Sequence, residues 1–556
     1  ATDWKIIAAD FNGDGLTDLT ASYTDNSGWR THTVISNGDG TFQPMVTDWH
    51  DTIGGWATDW KILVADFNGD GKNDLSATYT DNDGWRTNTV LAVSPIIDKV
   101  IEITTPVGGT TTITYKPSSA YTNTLLPFIV QTVSSISVND GNGNSSTTNY
   151  TYSGGYFDYA DREYRGFQYV KATAPNGTYT ETWFKQDDIF KGLPYDQITK
   201  DSSNNIYTRS VNTFNSTSPY TGVNFPYLSQ KDDYVYDGTA TAKQARTSFT
   251  YDSYGNIARK YLYGDVSVTG DERDEYTEYN YDTTNWLVSL PSTTYIKDSG
   301  GITKAQAWFT YDTKGNLLTK TAWLNGGTNP VITYTYDSYG NQASVKDARN
   351  NTTTITYDST YTYPTTTTNP LGHISSATYD LRFGKPLTET DPNSNITTYS
   401  YDVFGRLTKV TNPNDTTSTY GTMSYFYLNF GTVGSQRVVT YATEQNGTSN
   451  YIWKEIYFDG LGRTIKTRSE GPDRKVIAQR TLYDNRGEVS YASLPYFEGI
   501  ETERWTYFEY DPIGRVKKVT NPDGTYVTKG YLRGRTTLED TNRHQKIEEK
   551  DVYGRL

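Results

Sequence analysis

The stretch Ile332-Thr333-Tyr334-Thr335-Tyr336-Asp337-Ser338-Tyr339-Gly340-Asn341 decides the fold. Ile332, Tyr334 and Tyr336 alternate with Thr333 and Thr335, the period-two pattern of a strand with two different faces. Asp337 is placed to accept backbone N–H groups two or three residues on, which starts a turn. Gly340 supplies the positive φ that such a turn needs, and Asn341 tolerates a similar region. The chain leaves through Ala343 and Val345 as a second strand. One copy is therefore a hairpin.

The hairpin recurs. Full Tyr-Asp-x-x-Gly-(Asn/Arg/Glu) copies begin at Tyr251-Asp252 with Gly255, Tyr311-Asp312 with Gly315, Tyr336-Asp337 with Gly340, and Tyr401-Asp402 with Gly405. Two more begin at Tyr483-Asp484 with Gly487 and Tyr510-Asp511 with Gly514. Degenerate copies stand at Tyr281-Asp282, Tyr357-Asp358, Tyr379-Asp380 and Asp551-Val552-Tyr553-Gly554-Arg555. Hairpins in series make a long antiparallel ribbon, and helical periodicity is almost absent. The expected class is all-β.

Composition fits a thin wall better than a globule. The 556 residues include 49 Tyr, 12 Trp and 19 Phe, yet the AVILMFWYC fraction is only 35%. Tyr and Thr suit a pleated surface wetted on both sides and do not build one large apolar core. The charge of −14 argues against nucleic acid or an anionic membrane reached by bulk charge. Cysteine is absent, which removes disulfides and thiolate chemistry, and only 4 His are present. No apolar run approaches the roughly 20 residues of a membrane helix. The chain opens and stops in mid-pattern, as a processed piece would.

A different repeat occupies the N-terminus. Residues 2–35 and 58–91 align without a gap at a period of 56 and agree at 25 of 34 positions. Short-stranded repeats of this length suggest propeller blades, which cannot bury their faces alone. Each carries an Asp-x-Asn-x-Asp-Gly-x-x-Asp loop: Asp10, Asn12, Asp14 and Asp18 in one, and Asp66, Asn68, Asp70 and Asp74 in the other. Oxygen ligands at positions 1, 3, 5 and 9, with the carbonyls of Leu16 and Lys72 at position 7, suit Ca²⁺ better than Mg²⁺. The other reading is a tight turn with solvated carboxylates. Residues 93–235 read as a middle β region, with a turn at Asn139-Asp140-Gly141-Asn142-Gly143, and the ribbon proper runs over 236–556.

The Tyr-Asp array resembles the YD repeats of bacterial RHS proteins, also found in teneurins. Asp10-Phe11-Asn12-Gly13-Asp14-Gly15 resembles the FG-GAP/VCBS propeller repeat. Gly108-Gly109-Thr110-Thr111-Thr112-Ile113-Thr114-Tyr115-Lys116-Pro117 and Arg162-Glu163-Tyr164-Arg165-Gly166-Phe167 look like the middle region of toxin-complex B components. This order is similar to the B component of insecticidal toxin complexes. The resemblance implies partial propeller repeats followed by a YD ribbon spiralling into a hollow shell. It implies a non-enzymatic, secreted or cell-surface scaffold that encloses or presents a C-terminal effector absent from this chain. A translocation-channel component or further copies of the chain are the implied partners. Most blades, the C-terminal RHS core and any cargo are missing from the pattern. An extracellular adhesive or structural protein, self-assembling or binding glycan or protein through the array, is the alternative. An enzyme would need one carboxylate pair at a defined separation, and the sequence singles out none.

Overall fold

The computed structural model describes every residue except 1–3, 13–15, 26–27, 39, 45, 52–60, 68–71, 82–83, 91–98, 417, 446, 449, 552–553 and 555–556. The described residues are strand and turn, with three short 3₁₀ turns and no α-helix. The all-β expectation therefore holds. The chain divides into two compact units: Ala1–Ile103, Thr111–Val138 and Thr147–Thr173 form one, and Thr104–Thr110, Asn139–Ser146 and Ala174–Leu556 the other.

In the first unit the sequence repeat has become a structural repeat. Lys5–Ala9, Asp18–Asp25, Gly28–Val34 and Val46–Asp51 form one antiparallel sheet, and Lys61–Ala65, Asp74–Asp81 and Gly84–Val90 form another. Lys5 faces Ser22 and Lys61 faces Thr78, so the two hairpins share one register. Phe11, Leu75 and Ala77 are buried together with Ile7, Ala9, Ile62 and Val64 against them. Both copies feed that one small core, which is why neither would hold its faces dry alone. Strands Ser145–Asp158 and Glu163–Thr173 pair further along, with a bulge between Gly155 and Phe157.

In the second unit, antiparallel strands follow one another in sequence order from Tyr179–Phe184 to Gln545–Glu549. Segment 181–235, the latter part of the middle β region expected from sequence, belongs to the same ribbon, including the long hairpin Ile206–Tyr220 and Val223–Val235. Its strands are too long and too polar for a single alternation to stand out.

The two faces of the ribbon differ. The residue before some of the repeat tyrosines forms a cross-strand hydroxyl pair: Thr310 with Thr319 at 2.7 Å, Thr335 with Ser344 at 2.6 Å, and Thr378 with Thr388 at 2.7 Å. These pairs are exposed, while the tyrosines on the opposite face are half-buried. Among the described residues the buried apolar set is only Phe11, Leu75, Ala77, Tyr179, Leu262, Val439, Ala478 and Tyr496, and buried polar residues outnumber them. Cross-strand pairs and hydrogen bonds therefore carry more of the stability than a common core does.

Candidate functional site

Each repeat turn is built around one carboxylate. Asp337 Oδ1 accepts the N–H groups of Tyr339 and Asn341, both at 2.9 Å, and Oδ2 accepts Asn341 Nδ2 at 3.0 Å. Gly340, at φ 90°, donates its N–H to the Asp337 carbonyl at 3.2 Å. Asp252 and Asp312 repeat the pattern with Asn256 and Asn316. Where arginine ends the copy, its Nε replaces the amide: Arg406 reaches Asp402 Oδ2 at 2.6 Å and Arg515 reaches Asp511 Oδ2 at 2.7 Å. Asp484 accepts the N–H groups of Arg486 and Glu488 and has Arg486 Nε 3.7 Å from Oδ2, while the Glu488 side chain has no amide to donate. The Asn316 amide holds the Asp312 carboxyl below its ordinary pKa, and the Asn395 amide does the same for Asp391. These carboxylates are turn formers, and the lowered pKa of Asp312 and Asp391 makes those two weak bases.

The tyrosine joins consecutive hairpins. Tyr336 Oη donates to the Leu317 carbonyl at 2.9 Å, Tyr401 to Pro386 at 2.8 Å, Tyr483 to Thr464 at 2.8 Å and Tyr510 to Val489 at 2.7 Å. In each case the acceptor is the first or second residue of the strand that leaves the preceding turn. Tyr251 donates instead to Leu228, in the middle of the strand Val223–Val235, at 3.0 Å. Burial pushes the Tyr311 and Tyr336 hydroxyls up in pKa. Arginine copies add a stack, with Arg406 4.3 Å over Tyr427, Arg463 4.1 Å over Tyr483 and Arg515 4.1 Å over Tyr531. The hydroxyls of these tyrosines are thus engaged in packing one hairpin on the next.

Two sets of turns escaped the sequence reading. Phe458-Asp459-Gly460-Leu461-Gly462-Arg463 is a full turn with Phe in place of Tyr, its Asp459 Oδ1 accepting from Leu461 and Arg463 N–H. The opposite edge of the ribbon uses the same carboxylate device without a preceding tyrosine, at Asp201–Asn205, Asp347–Asn351 and Asp391–Asn395. The available signal was Asp, then Gly or a residue at positive φ three places on, then a donor side chain.

Late turns dock on early ones within the second unit. Gly460 N–H donates to the Asp140 carbonyl at 2.6 Å, Thr105 Oγ1 to the Gly460 carbonyl at 2.8 Å, and Arg463 Nη2 to Asp140 Oδ2 at 2.9 Å. Gln436 is fully buried and spends its amide on the carbonyls of Val107 and Asp459. A Cβ on Gly109 would lie 2.1 Å from the Gly460 oxygen, so only glycine fits. The copy at Tyr510 docks similarly: the Pro512 carbonyl accepts from Asn176 and Thr178, and Arg515 Nη1 meets Asp237 Oδ1 at 2.8 Å.

Of the Asp-rich loops, Asp14, Asn68 and Asp70 lie outside the described residues. Asp10 Oδ1 accepts Asn12 N–H at 3.3 Å; buried Asp18 takes Phe11 N–H on Oδ2 and Ser36 N–H on Oδ1, both at 2.9 Å. Asp74 Oδ2 likewise takes Phe67 N–H at 2.9 Å, and Asn73 N–H reaches the Asp10 carbonyl. Leu16 is exposed and Lys72 buried, while Asp66 is intermediate. Asp18 and Asp74 are thus hairpin locks. The donor set remains all oxygen, which is the chemistry calcium takes. Of the histidines, His32 stacks on Tyr23 and pairs with its hydroxyl at 2.9 Å.

Residues 37–196 match the family model of the insecticide toxin TcdB middle/N-terminal region, and residues 379–417 match the RHS repeat. The solved TcdB2-TccC3 structure is similar in fold, at 16% identity and a TM-score of 0.78, over 97% of this chain and 38% of that one. The Photorhabdus luminescens Tc holotoxin pore gives 15% identity and 0.79, over 97% and 39%. The chain resembles a toxin-complex B component in fold and carries a segment that matches the RHS repeat. The chain spans about two fifths of the length of the solved chains it matches. No curated protein matches its sequence. The matched RHS segment runs from Tyr379 through the opposite-edge turn at Asp391 to the copy at Tyr401, so one repeat contains a turn on each edge. Among the described residues no helix is long and apolar enough to cross a membrane.

Proposed function

We propose that this RHS-repeat chain is a non-enzymatic β-shell scaffold of a secreted or surface-delivered, toxin-complex-like protein that encloses or presents a C-terminal effector. The observation that carries the reading is the docking of turns at Gly460 and Pro512 on turns that precede them by more than 300 residues. A ribbon that returns to its own earlier course builds a wall, and the Thr hydroxyl pairs give that wall one wet, non-adhesive face. The repeat carboxylates support a structural role, since each is committed to its own turn. On this reading the partners are an effector that follows the ribbon and a channel component, in line with the TcdB2-TccC3 pair and the holotoxin pore of the similar structures. Asp10, Asn12, Asp14 and Asp18, with the Leu16 carbonyl, and Asp66, Asn68, Asp70 and Asp74, with that of Lys72, would hold Ca²⁺ to stiffen the N-terminal hairpins. A cryo-EM map of the protein in millimolar calcium tests this. A curved wall around a polar lumen, with density in both Asp-rich loops, supports it. A flat stack with a side-chain-filled interior moves the assignment to an adhesive or structural protein.

A further inference from the structure

The two N-terminal hairpin sheets are close copies in sequence, yet they bury opposite faces. Strand Lys5–Ala9 packs Ile7 and Ala9 on the small core and leaves Ile6 64% exposed. Strand Lys61–Ala65 packs Ile62 and Val64 there and leaves Leu63 53% exposed. At the period of 56, Ile6 is the counterpart of Ile62, and Ile7 of Leu63. The contrast runs on along the hairpins. Phe11 is 5% exposed and its counterpart Phe67 45%; Leu75 and Ala77 are buried, while their counterparts Leu19 and Ala21 are half-buried.

Cross-strand register makes each set one face. Ile6 opposes Ala21 and Ala8 opposes Leu19, just as Ile62 opposes Ala77 and Val64 opposes Leu75. The small core is therefore a contact between unlike faces, with Ile7, Ala9 and Phe11 of the first copy against Ile62, Val64, Leu75 and Ala77 of the second. A backbone bond ties the two copies together, from Asn73 N–H to the Asp10 carbonyl at 2.8 Å. Such a head-to-tail contact leaves one face of each kind over. The first copy keeps Ile6, Ala8, Leu19 and Ala21, flanked by exposed Trp4 stacked on Tyr23; the second keeps Leu63, Ala65 and Phe67. Exposed apolar side chains grouped in this way mark an interaction surface.

The two leftover faces match the two that are already packed. Leu63, Ala65 and Phe67 stand where Ile7, Ala9 and Phe11 do, and Ile6, Ala8, Leu19 and Ala21 where Ile62, Val64, Leu75 and Ala77 do. Leu for Ile keeps the volume and Ala for Val reduces it, so neither exchange adds bulk that would collide. On the third strand His32 replaces Asn88, and its ring is held against Tyr23. Within one chain the leftover faces point apart, on the outer sides of the same pair of sheets.

We propose that these faces join two copies of this chain, with Leu63, Ala65 and Phe67 of each packed on Ile6, Ala8, Leu19 and Ala21 of the other. The same contact already exists once within each chain, and the new one continues it. Thr17, at the place of Asn73, then donates its N–H to the Asp66 carbonyl of the other copy. Two copies bring four hairpin sheets round one axis, the smallest number at which blades of this kind usually close, and closure covers both leftover faces of both chains. The contact does not depend on whether the ribbon encloses an effector.

The chain has no cysteine, so single cysteines report the contact directly. A short bis-maleimide should join Ile6→Cys protein to Leu63→Cys protein at least tenfold more than it joins either variant to itself, because the contact is between unlike faces. Sedimentation of the unaltered 556-residue protein should show a concentration-dependent rise in mass that levels off when the ring closes. Ile6→Asp and Leu63→Asp alter exposed side chains, so each should weaken association at least tenfold with an unchanged circular dichroism spectrum. Leu371→Asp, at an even more exposed side chain of the second unit, should leave association as it is. A single monomeric species up to about 100 μM assigns the faces to some other occupant and overturns the proposal. Equal crosslinking of each variant with itself, or as large a loss with Leu371→Asp as with Leu63→Asp, overturns it as well.

Discussion

The Arg463 guanidinium lies 4.1 Å over the ring of Tyr483, and the hydroxyl of that ring donates to the carbonyl of Thr464, the residue next to the arginine. Each contact holds the other in place: the stack fixes the ring, and the ring's hydroxyl fixes the strand that carries the arginine. Tyr483→Phe should keep the stack and cost about 1 kcal/mol, the usual net worth of one such hydrogen bond. Tyr483→Ala should cost about 3 kcal/mol or more by losing the ring as well. Urea melts of the two variants separate these contributions.

Gly109→Ala tests the seam. Its Cβ would meet backbone atoms of Gly460 at 2.1 and 2.6 Å, and neither can swing aside as a side-chain tip could. Amide exchange should speed up by at least tenfold at Gly109 and Asp140 and around Gly460, while the hairpin at Tyr336–Asn341 keeps its protection. Uniform loss over the whole ribbon would mean that the seam is not a separate unit.

Acid should weaken the ribbon in a defined window. Asp312 and Asp391 have pKa values held below the ordinary carboxylate value, chiefly by the Asn316 and Asn395 amides. A depressed folded-state pKa gives stability that is fully present above the unfolded value of about 3.9 and lost as pH falls through the folded one. Melting temperature should therefore be flat from neutral pH to about 5 and fall steeply below about 4. Asp391→Asn should be less stable at neutral pH and should show a shallower fall.

Calcium should act on the first unit alone. If the Asp-rich loops bind it, calcium at about a hundred times its dissociation constant adds about 2.7 kcal/mol per site. Calorimetry with and without chelator, on the unaltered protein and on Asp10→Ala, reads this as a shift of the early transition that the variant lacks. An unshifted early transition assigns both loops to plain turns.

Much of this architecture was legible in residues. Tyr336, Asp337 and Gly340 announced strand, turn and positive φ, because each of those roles is local and belongs to one residue type. The opposite-edge turns at Asp347 and Asp391 stayed hidden because Asn350 and Ser394 take the positive φ that glycine usually signals. The copy at Asp459 was masked by Phe458 standing where tyrosine does elsewhere. Docking was out of reach: Asp140 and Arg463 are separated by 323 residues, and nothing near either one names the other. At the loops of Asp10 and Asp66 the pattern named oxygen ligands, while the buried Asp18 and Asp74 show that the same residues also close the hairpins.

The 323-residue interval between Asp140 and Arg463 is also a delay. At about 5–20 residues per second, a nascent chain presents Asp140 for roughly 15–65 s before Arg463 has been made. Hairpins close in microseconds, so the ribbon can form strand by strand as it emerges, whereas the seam must wait for translation. During that wait the receiving turn is open to the equivalent Gly460 turn of a longer-grown sibling on a neighbouring ribosome of the same message. Synthesis rate, as much as sequence, then sets how often the ribbon closes on itself instead of on a sibling.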